Sequence, residues 1–344
     1  MSTNPLMGMN RVTMNTPSRF ARATLLATAA ACLPALLALT SPAQAASAAD
    51  EARARETWRT SISHTPTPGE GCFRASYPAM SWHRVVCKAA PARPFGIASL
   101  PRHGAAGRTV GNGNDFAAVT STITKSAVGS FPSVTGVTKE TGADGANSYT
   151  LQLNSGFMNT AGCNGSTTGA CQTWEQFVYS SGEETAFMQY WLINYGNSCP
   201  AGGSWNSYEG SCYKNSAAVS VPKIAITSLG KLKVSATAVS GGTDTLVFTG
   251  PTEAYTTTGK DSVVDLATAW KQSEFNIVGD GGGSKAKFNT GVDLTVEIAL
   301  QDGGTAAPTC QGKDGTTGET NNLTLGKCTA SGGATPSVQF TEKN

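Results

Sequence analysis

Apolar and polar positions alternate with a period of two along the last two thirds of the chain, and clusters of Gly, Ser, Asn and Thr interrupt the alternation at short intervals. The runs NSYTLQLN, TWEQFVYS, AFMQYWLINYG, KLKVSATAV, DTLVFTG, SEFNIVG, VDLTVEIAL and PSVQFTEKN each read as a strand. One stretch, DSVVDLATAWKQ, residues 261–272, reads instead as a short helix. Asp261 is placed to cap it, and Val264, Ala267 and Trp270 recur at three-residue steps. Short strands with few charges over residues 109–344 predict one all-β domain, a two-sheet antiparallel β-sandwich or jelly roll.

The beginning of the chain breaks this pattern. Residues 1–45 carry Arg11, Arg19 and Arg22, then the apolar stretch ATLLATAAACLPALLAL, then the small-residue site Ala43-Gln44-Ala45, the three parts of a signal peptide. Cys32 lies inside the apolar stretch, which continues past it, so it goes with the signal. No later run approaches the ~18 to 20 apolar residues that span a bilayer. The expectation is a secreted, extracellular or periplasmic protein with no membrane partner.

Eight cysteines then remain, spaced as four neighbouring pairs: Cys72 with Cys87, Cys163 with Cys171, Cys199 with Cys212, and Cys310 with Cys328. An oxidising compartment and short intervening loops favour those pairs as disulfides, although eight cysteines allow 105 connectivities. No pair has tight C-x-x-C spacing and the last three have no nearby histidine, so zinc is not expected.

Charge divides the chain more sharply than its net value of +2 suggests. Residues 46–108 hold nine Lys or Arg against four acids, together with His64, His83 and His103, which are all the histidines present. Residues 109–344 hold thirteen lysines, nineteen acids, and neither arginine nor histidine. The basic piece opens on a weakly helical ADEARARETWRT and is too small and polar to fold on its own core. It is expected to be a leader, a pro-segment or an arm for an anionic surface.

Without histidine the body cannot assemble a Ser-His-Asp or Cys-His centre, and it lacks the usual ligands of catalytic zinc. Phosphate-loop and dinucleotide signatures are absent, and VGNGND, residues 110–115, has no helix after it to hold phosphate. No cofactor, metal or nucleic acid is expected. If the body is an enzyme, carboxylates move its protons. GDGGGS, residues 279–284, reads as a turn, and Glu183 and Glu184 as a hairpin tip.

Alternation assigns faces to the candidate groups. Trp174, Gln176 and Val178 share one face of their strand, and Glu175, Phe177 and Tyr179 the other. Phe187, Gln189, Trp191 and Ile193 share a face. Gln272, Glu274 and Asn276 lie opposite Phe275 and Ile277. Three strands can thus each offer a polar or aromatic face backed by an apolar one, which suits either a substrate-gripping sheet or ordinary solvent-facing strands.

At these residues a resemblance enters. CQTWEQFVYS, MQYWLINYG and SEFNIVGDGGGSKAKFNTGVDLTVEI, covering roughly residues 172–298, resemble the body of the eqolisins, the secreted glutamic peptidases. In that family one strand carries a catalytic Gln, the next is rich in Tyr and Trp, and a later Glu-aromatic-x-Ile-Val segment carries the catalytic Glu. The resemblance places these at Gln176 and Glu274 and lines the cleft with Trp174, Gln189 and Trp191. The chain departs from the family at Gly279, where the family has a second acid, and at Gln189-Tyr190-Trp191, where it has Tyr-Glu-Trp. A more distant similarity to the neprosin-type glutamic peptidases makes Glu175 an alternative partner.

The resemblance implies a secreted acid endopeptidase made as a zymogen, with a polypeptide substrate and its own basic pro-segment as partner, expected as a monomer. The domains expected are a signal peptide over 1–45, a pro-segment over 46–108 and a catalytic β-sandwich of concanavalin A-like type over 109–344. Two alternatives from other classes stay open: a non-catalytic carbohydrate-binding jelly roll, and a carbohydrate-active enzyme using a carboxylate pair.

Overall fold

The computed structural model describes residues 42–96 and 109–344. The expected signal segment up to residue 41, and the stretch 97–108 with Arg102, His103 and Arg108, lie outside the described residues. Ala46–Asn344 forms one compact unit.

The unit is an all-β sandwich of a 13-stranded and a 10-stranded sheet, antiparallel except where Lys285–Phe288 runs parallel to Thr320–Ser331. The smaller sheet carries the candidate residues. Its middle runs Ser211–Asn215, Thr185–Ile193, Gln172–Ser180, Tyr149–Ser155, Gln272–Gly279, Phe116–Val119, each hydrogen-bonded to the next. One face of these strands supplies the core. Leu151, Leu153, Phe177, Tyr179, Phe275 and Ile277 pack against Val234, Ala236, Leu246, Phe248, Val296 and Ile298 of the larger sheet. The fit is close enough that a Cβ at Gly129 would lie 2.1 Å from the Phe275 ring.

Asp293–Gln301 shows the ordinary pattern of a half-covered strand, with Leu294, Val296, Ile298 and Leu300 buried and the residues between them more exposed. The strands Tyr149–Ser155 and Thr185–Ile193 differ, being buried at every position. The second face is polar in the first, with Thr150, Gln152 and Asn154, and largely aromatic in the other, with Phe187 and Trp191 around Gln189, and both are covered by other parts of the chain.

Local chemistry explains the rest. The expected helix is cut down to a 3-10 turn, Asp261–Val263, and one α-turn, Leu266–Ala269, because the chain enters the next strand at Gln272. Asp265, not Asp261, stands at the N-cap of the α-turn; Asp261 lies in the 3-10 turn, and its Oδ1 accepts the Ala267 N–H at 2.9 Å. Gly281, Gly282 and Gly283 end that strand with φ of 73°, 61° and 70°, a left-handed run that side chains resist. The four expected cysteine pairs are the four disulfides.

The basic piece is built into the sandwich. Its start is helical, Pro42–Ser63. Its strand Cys72–Ser76 extends the larger sheet by pairing with Glu253–Lys260, and Lys88–Ala89 pairs with Ala217–Ser220 of the smaller sheet. Arg74 meets Glu253, and Arg93 meets Glu183 and Asp280. Lys233 of the body pairs in the reverse sense with Glu56. Contacts between the basic piece and the acidic body thus include a few specific ion pairs.

Candidate functional site

Pairing register places the candidates in one row. Gln176 lies opposite Gln189 on one side and Asn154 on the other, Gln189 lies opposite Asn215, and Glu274 lies opposite Asn154 and Ala117. Directly opposed residues share a face, so Asn215, Gln189, Gln176, Asn154 and Glu274 form one polar line across five strands. Strands are spaced about 4.8 Å apart, so Gln176 and Glu274 stand roughly 10 Å apart at their Cα atoms with Asn154 between them.

Hydrogen bonds hold the Gln176 amide. Its Oε1 accepts from Trp191 Nε1, which also donates to Gln189 Oε1, both at 3.0 Å. Its Nε2 donates to Gln152 Oε1 at 3.0 Å, which also accepts from Thr317 Oγ1 at 2.8 Å. Gln152 Nε2 in turn donates to Glu319 Oε2 at 3.3 Å. Asn154 is the exception. Its carboxamide is buried, and neither its Nδ2 nor its Oδ1 has a partner in the chain. An unpartnered buried amide is costly, about 1–3 kcal/mol, so a native fold that keeps one calls for a reason.

Glu274 is covered by the loop 313–319. Thr316 donates to its Oε2 twice, from N–H at 2.6 Å and from Oγ1 at 2.7 Å. The other side of the carboxyl lies beside Asp115, where Glu274 Oε1 and Asp115 Oδ2 have no hydrogen-bond partner within the chain. Asp115 Oδ1 also accepts from Asn276 Nδ2 at 2.7 Å and from Gly111 N–H at 3.1 Å. Burial and then the Asp115 charge push Glu274 well above the carboxylate range, against the Thr316 donors that lower it. Asp115 is also raised, by burial and then by Glu342. Beyond Asn276, Glu342 is pushed up to about 7 by burial.

The aromatic candidates flank this row. Trp174 and Trp191 are fully buried, with centroids 5.8 Å apart, and Tyr213 continues the stack 5.2 Å from Trp191. Glu175 points the other way. It alternates into the core between the sheets, where it meets Asp244 and Tyr190, and burial raises it well above the usual range. A group bound over Gln176 and Glu274 cannot reach it, so the alternative pairing through Glu175 fails on geometry. Asp280, one place after the departure at Gly279, anchors the hairpin tip instead, accepting from Ser180 Oγ and Gly182 N–H.

Sequence reading did not find Asn154, Asp115, Thr316 or Glu319. The NSYTLQLN alternation carried a signal for Asn154, since it placed that residue opposite Leu153, but only register aligns it with Gln176. The loop residues carried none. Among the described residues no cluster of three or more His, Cys, Asp or Glu side chains is placed to hold a metal ion, and no helix is long and apolar enough to cross a membrane.

No family model matches this chain, and no curated protein matches it. Among solved structures, the chain is similar to scytalido-glutamic peptidase with a peptide-based transition state analog, at a TM-score of 0.29 and 14% identity, covering 68% of this chain and 98% of that one. It is also similar to SCP-B, a member of the Eqolisin family of peptidases in a complex with the tripeptide Ala-Ile-His, at a TM-score of 0.27 and 14% identity, covering 68% and 97%. Similarity this low leaves each site residue to be judged from this chain's own geometry.

Proposed function

We propose that this protein is a secreted acid endopeptidase that hydrolyses polypeptides with Glu274 as general base and Gln176 as oxyanion donor. One observation carries the reading: Gln176 and Glu274 lie on the same face, separated by one intervening strand, and flank an amide at Asn154 that has no partner within the chain. Asn154 itself lies between a proton acceptor and amide donors.

In the reaction a water over Asn154 gives a proton to the carboxyl pair as its oxygen attacks the peptide carbonyl. Burial keeps both carboxyls protonated in acid while the loop covers them; once the loop 313–319 lifts and water enters, that shift is relieved, so the pair keeps one proton and leaves one carboxyl free to accept. The carbonyl oxygen takes the negative charge and meets the second Gln176 N–H, with Asn154 Nδ2 as a further donor. The pair then returns the proton to the leaving nitrogen as the C–N bond breaks. No side-chain nucleophile is needed, which suits a body without histidine. The loop 313–319 moves off Glu274 to admit substrate, and residues 46–108 act as a pro-segment that keeps the face covered before activation.

The carbohydrate readings gain less from the same geometry. A sugar-stacking platform needs exposed rings, and Trp174 and Trp191 are fully buried.

The test is digestion of a denatured polypeptide at acidic pH. Gln176→Ala is expected to lower kcat by roughly 10²-fold or more and Glu274→Gln to abolish turnover, with both variants melting as a folded protein. Undiminished cleavage by both variants removes the reading.

A further inference from the structure

Residues 91–96, Pro-Ala-Arg-Pro-Phe-Gly, cross the polar face as a strap, and the body reads their main chain almost atom by atom. Asn215 Nδ2 donates to the Pro91 carbonyl at 2.8 Å, Tyr213 Oη to that of Ala92 at 3.1 Å, and Gln189 Nε2 to that of Arg93 at 3.2 Å. The Phe95 N–H donates to Gln189 Oε1 at 2.8 Å and the Gly96 N–H to Glu319 Oε1 at 2.9 Å. Those last two acceptors are the two ends of the network that holds Gln176.

Two side chains of the strap enter defined places. Phe95 is fully buried in a pocket of Val178, Phe187 and Ala218, its ring 5.3 Å from that of Phe187. Arg93 reaches Asp280 at 3.2 Å and Glu183 at 3.1 Å, and its guanidinium lies 5.5 Å from the Phe95 ring. Val178 is two residues beyond Gln176 on the same face, so the aromatic pocket adjoins the candidate catalytic row.

We infer that this groove is the peptide-binding site, that its ligand is an extended polypeptide with an arginine two residues before an aromatic side chain, and that residues 91–96 occupy it as an internal copy of such a ligand. The inference rests on the peptidase reading for cleavage of the bound peptide, but not for binding itself. Donors and acceptors aimed at main-chain atoms accept any extended peptide. The apolar pocket and the acidic pair at Asp280 and Glu183 select among them.

The test uses the full chain carrying Glu274→Gln, so that no peptide is consumed, and a fluorescent peptide of sequence Pro-Ala-Arg-Pro-Phe-Gly. A tethered strap competes at an effective concentration on the order of millimolar. Phe95→Ala in the chain is therefore expected to tighten peptide binding about ten-fold or more, and replacing Phe by Ala in the peptide to weaken it roughly 10- to 100-fold. Arg93→Ala, which leaves the Phe95 pocket filled, carries the same direction of effect should Phe95→Ala not fold. Equal affinity for released and strapped chains, or for Phe and Ala peptides, overturns the inference. Selective binding without turnover by the chain that retains Glu274 supports the groove and removes the peptidase reading, whereas turnover without such binding overturns the groove.

Discussion

Gln176 and Glu274 lie opposite the same residue: each faces Asn154 across its own strand pair, so one amide with no partner stands between them. Stability and function should pull apart at that position. Asn154→Leu, nearly isosteric, removes two unsatisfied polar atoms worth about 1–3 kcal/mol. The melting temperature is expected to rise by a few degrees while kcat on a polypeptide falls by roughly 10-fold or more. A drop in both, measured by thermal melting and initial rates, contradicts the role assigned to Asn154.

Thr316 and Asp115 act on Glu274 in opposite senses, and the acid limb of the pH–rate profile should report both. Thr316→Val deletes the Oγ1 donor that favours the ionised carboxyl, so Glu274 holds its proton more firmly and the limb moves to higher pH. Asp115→Asn deletes a neighbouring negative charge that raises Glu274, so the limb moves to lower pH. Limbs that shift together, or not at all, show that Glu274 is not the group being titrated.

Buried carboxyls make the folded protein a better proton binder than the unfolded chain. Glu140 and Glu342 are each pushed up to about 7 by burial, and Glu274, Asp115, Glu175 and Asp244 are raised as well, again chiefly by burial. Their unfolded values lie near 4. Between about pH 4 and pH 7 the native state therefore binds more protons, and stability falls as pH rises. Denaturant midpoints are expected to decline steadily from pH 4 toward neutrality and beyond. A midpoint that climbs over that range is incompatible with these shifts.

Glu175 offers a control, because it belongs to the core and not to the row. Glu175→Gln keeps its shape and removes one proton-binding site that favours the acid state. The variant is expected to show a shallower loss of stability with rising pH and an unchanged rate of polypeptide cleavage in acid. A large fall in rate with the melting temperature intact assigns Glu175 a part in the chemistry that its position denies.

Much of this arrangement was legible in the alternation. TWEQFVYS alone separates Gln176 and Trp174 from Glu175, and SEFNIVG separates Glu274 from Phe275, because a strand's faces are set by its backbone. Short spacing made the cysteine pairs readable. Asn154 was hidden for a different reason: a row across a sheet is a property of register, set by contacts far apart in sequence. Asp115, Thr316 and Glu319 sit in or beside loops, where no period marks an inward-facing residue. The short helix was over-read because its apolar steps continue into Trp270, which serves the core after the helix has ended.

Release of the basic piece would alter more than access to the polar face. Cys72–Ser76 with His83–Val85 beyond it, and Lys88–Ala89, finish neighbouring borders of the sandwich, one on each sheet. Without them, Glu253–Lys260 and Ala217–Ser220 become open borders with bare N–H and C=O groups, a template for strands from other molecules. Activation would then carry a colloidal consequence: the freed body acquires two adhesive rims, and its solubility becomes concentration-dependent in a way that the intact chain's is not.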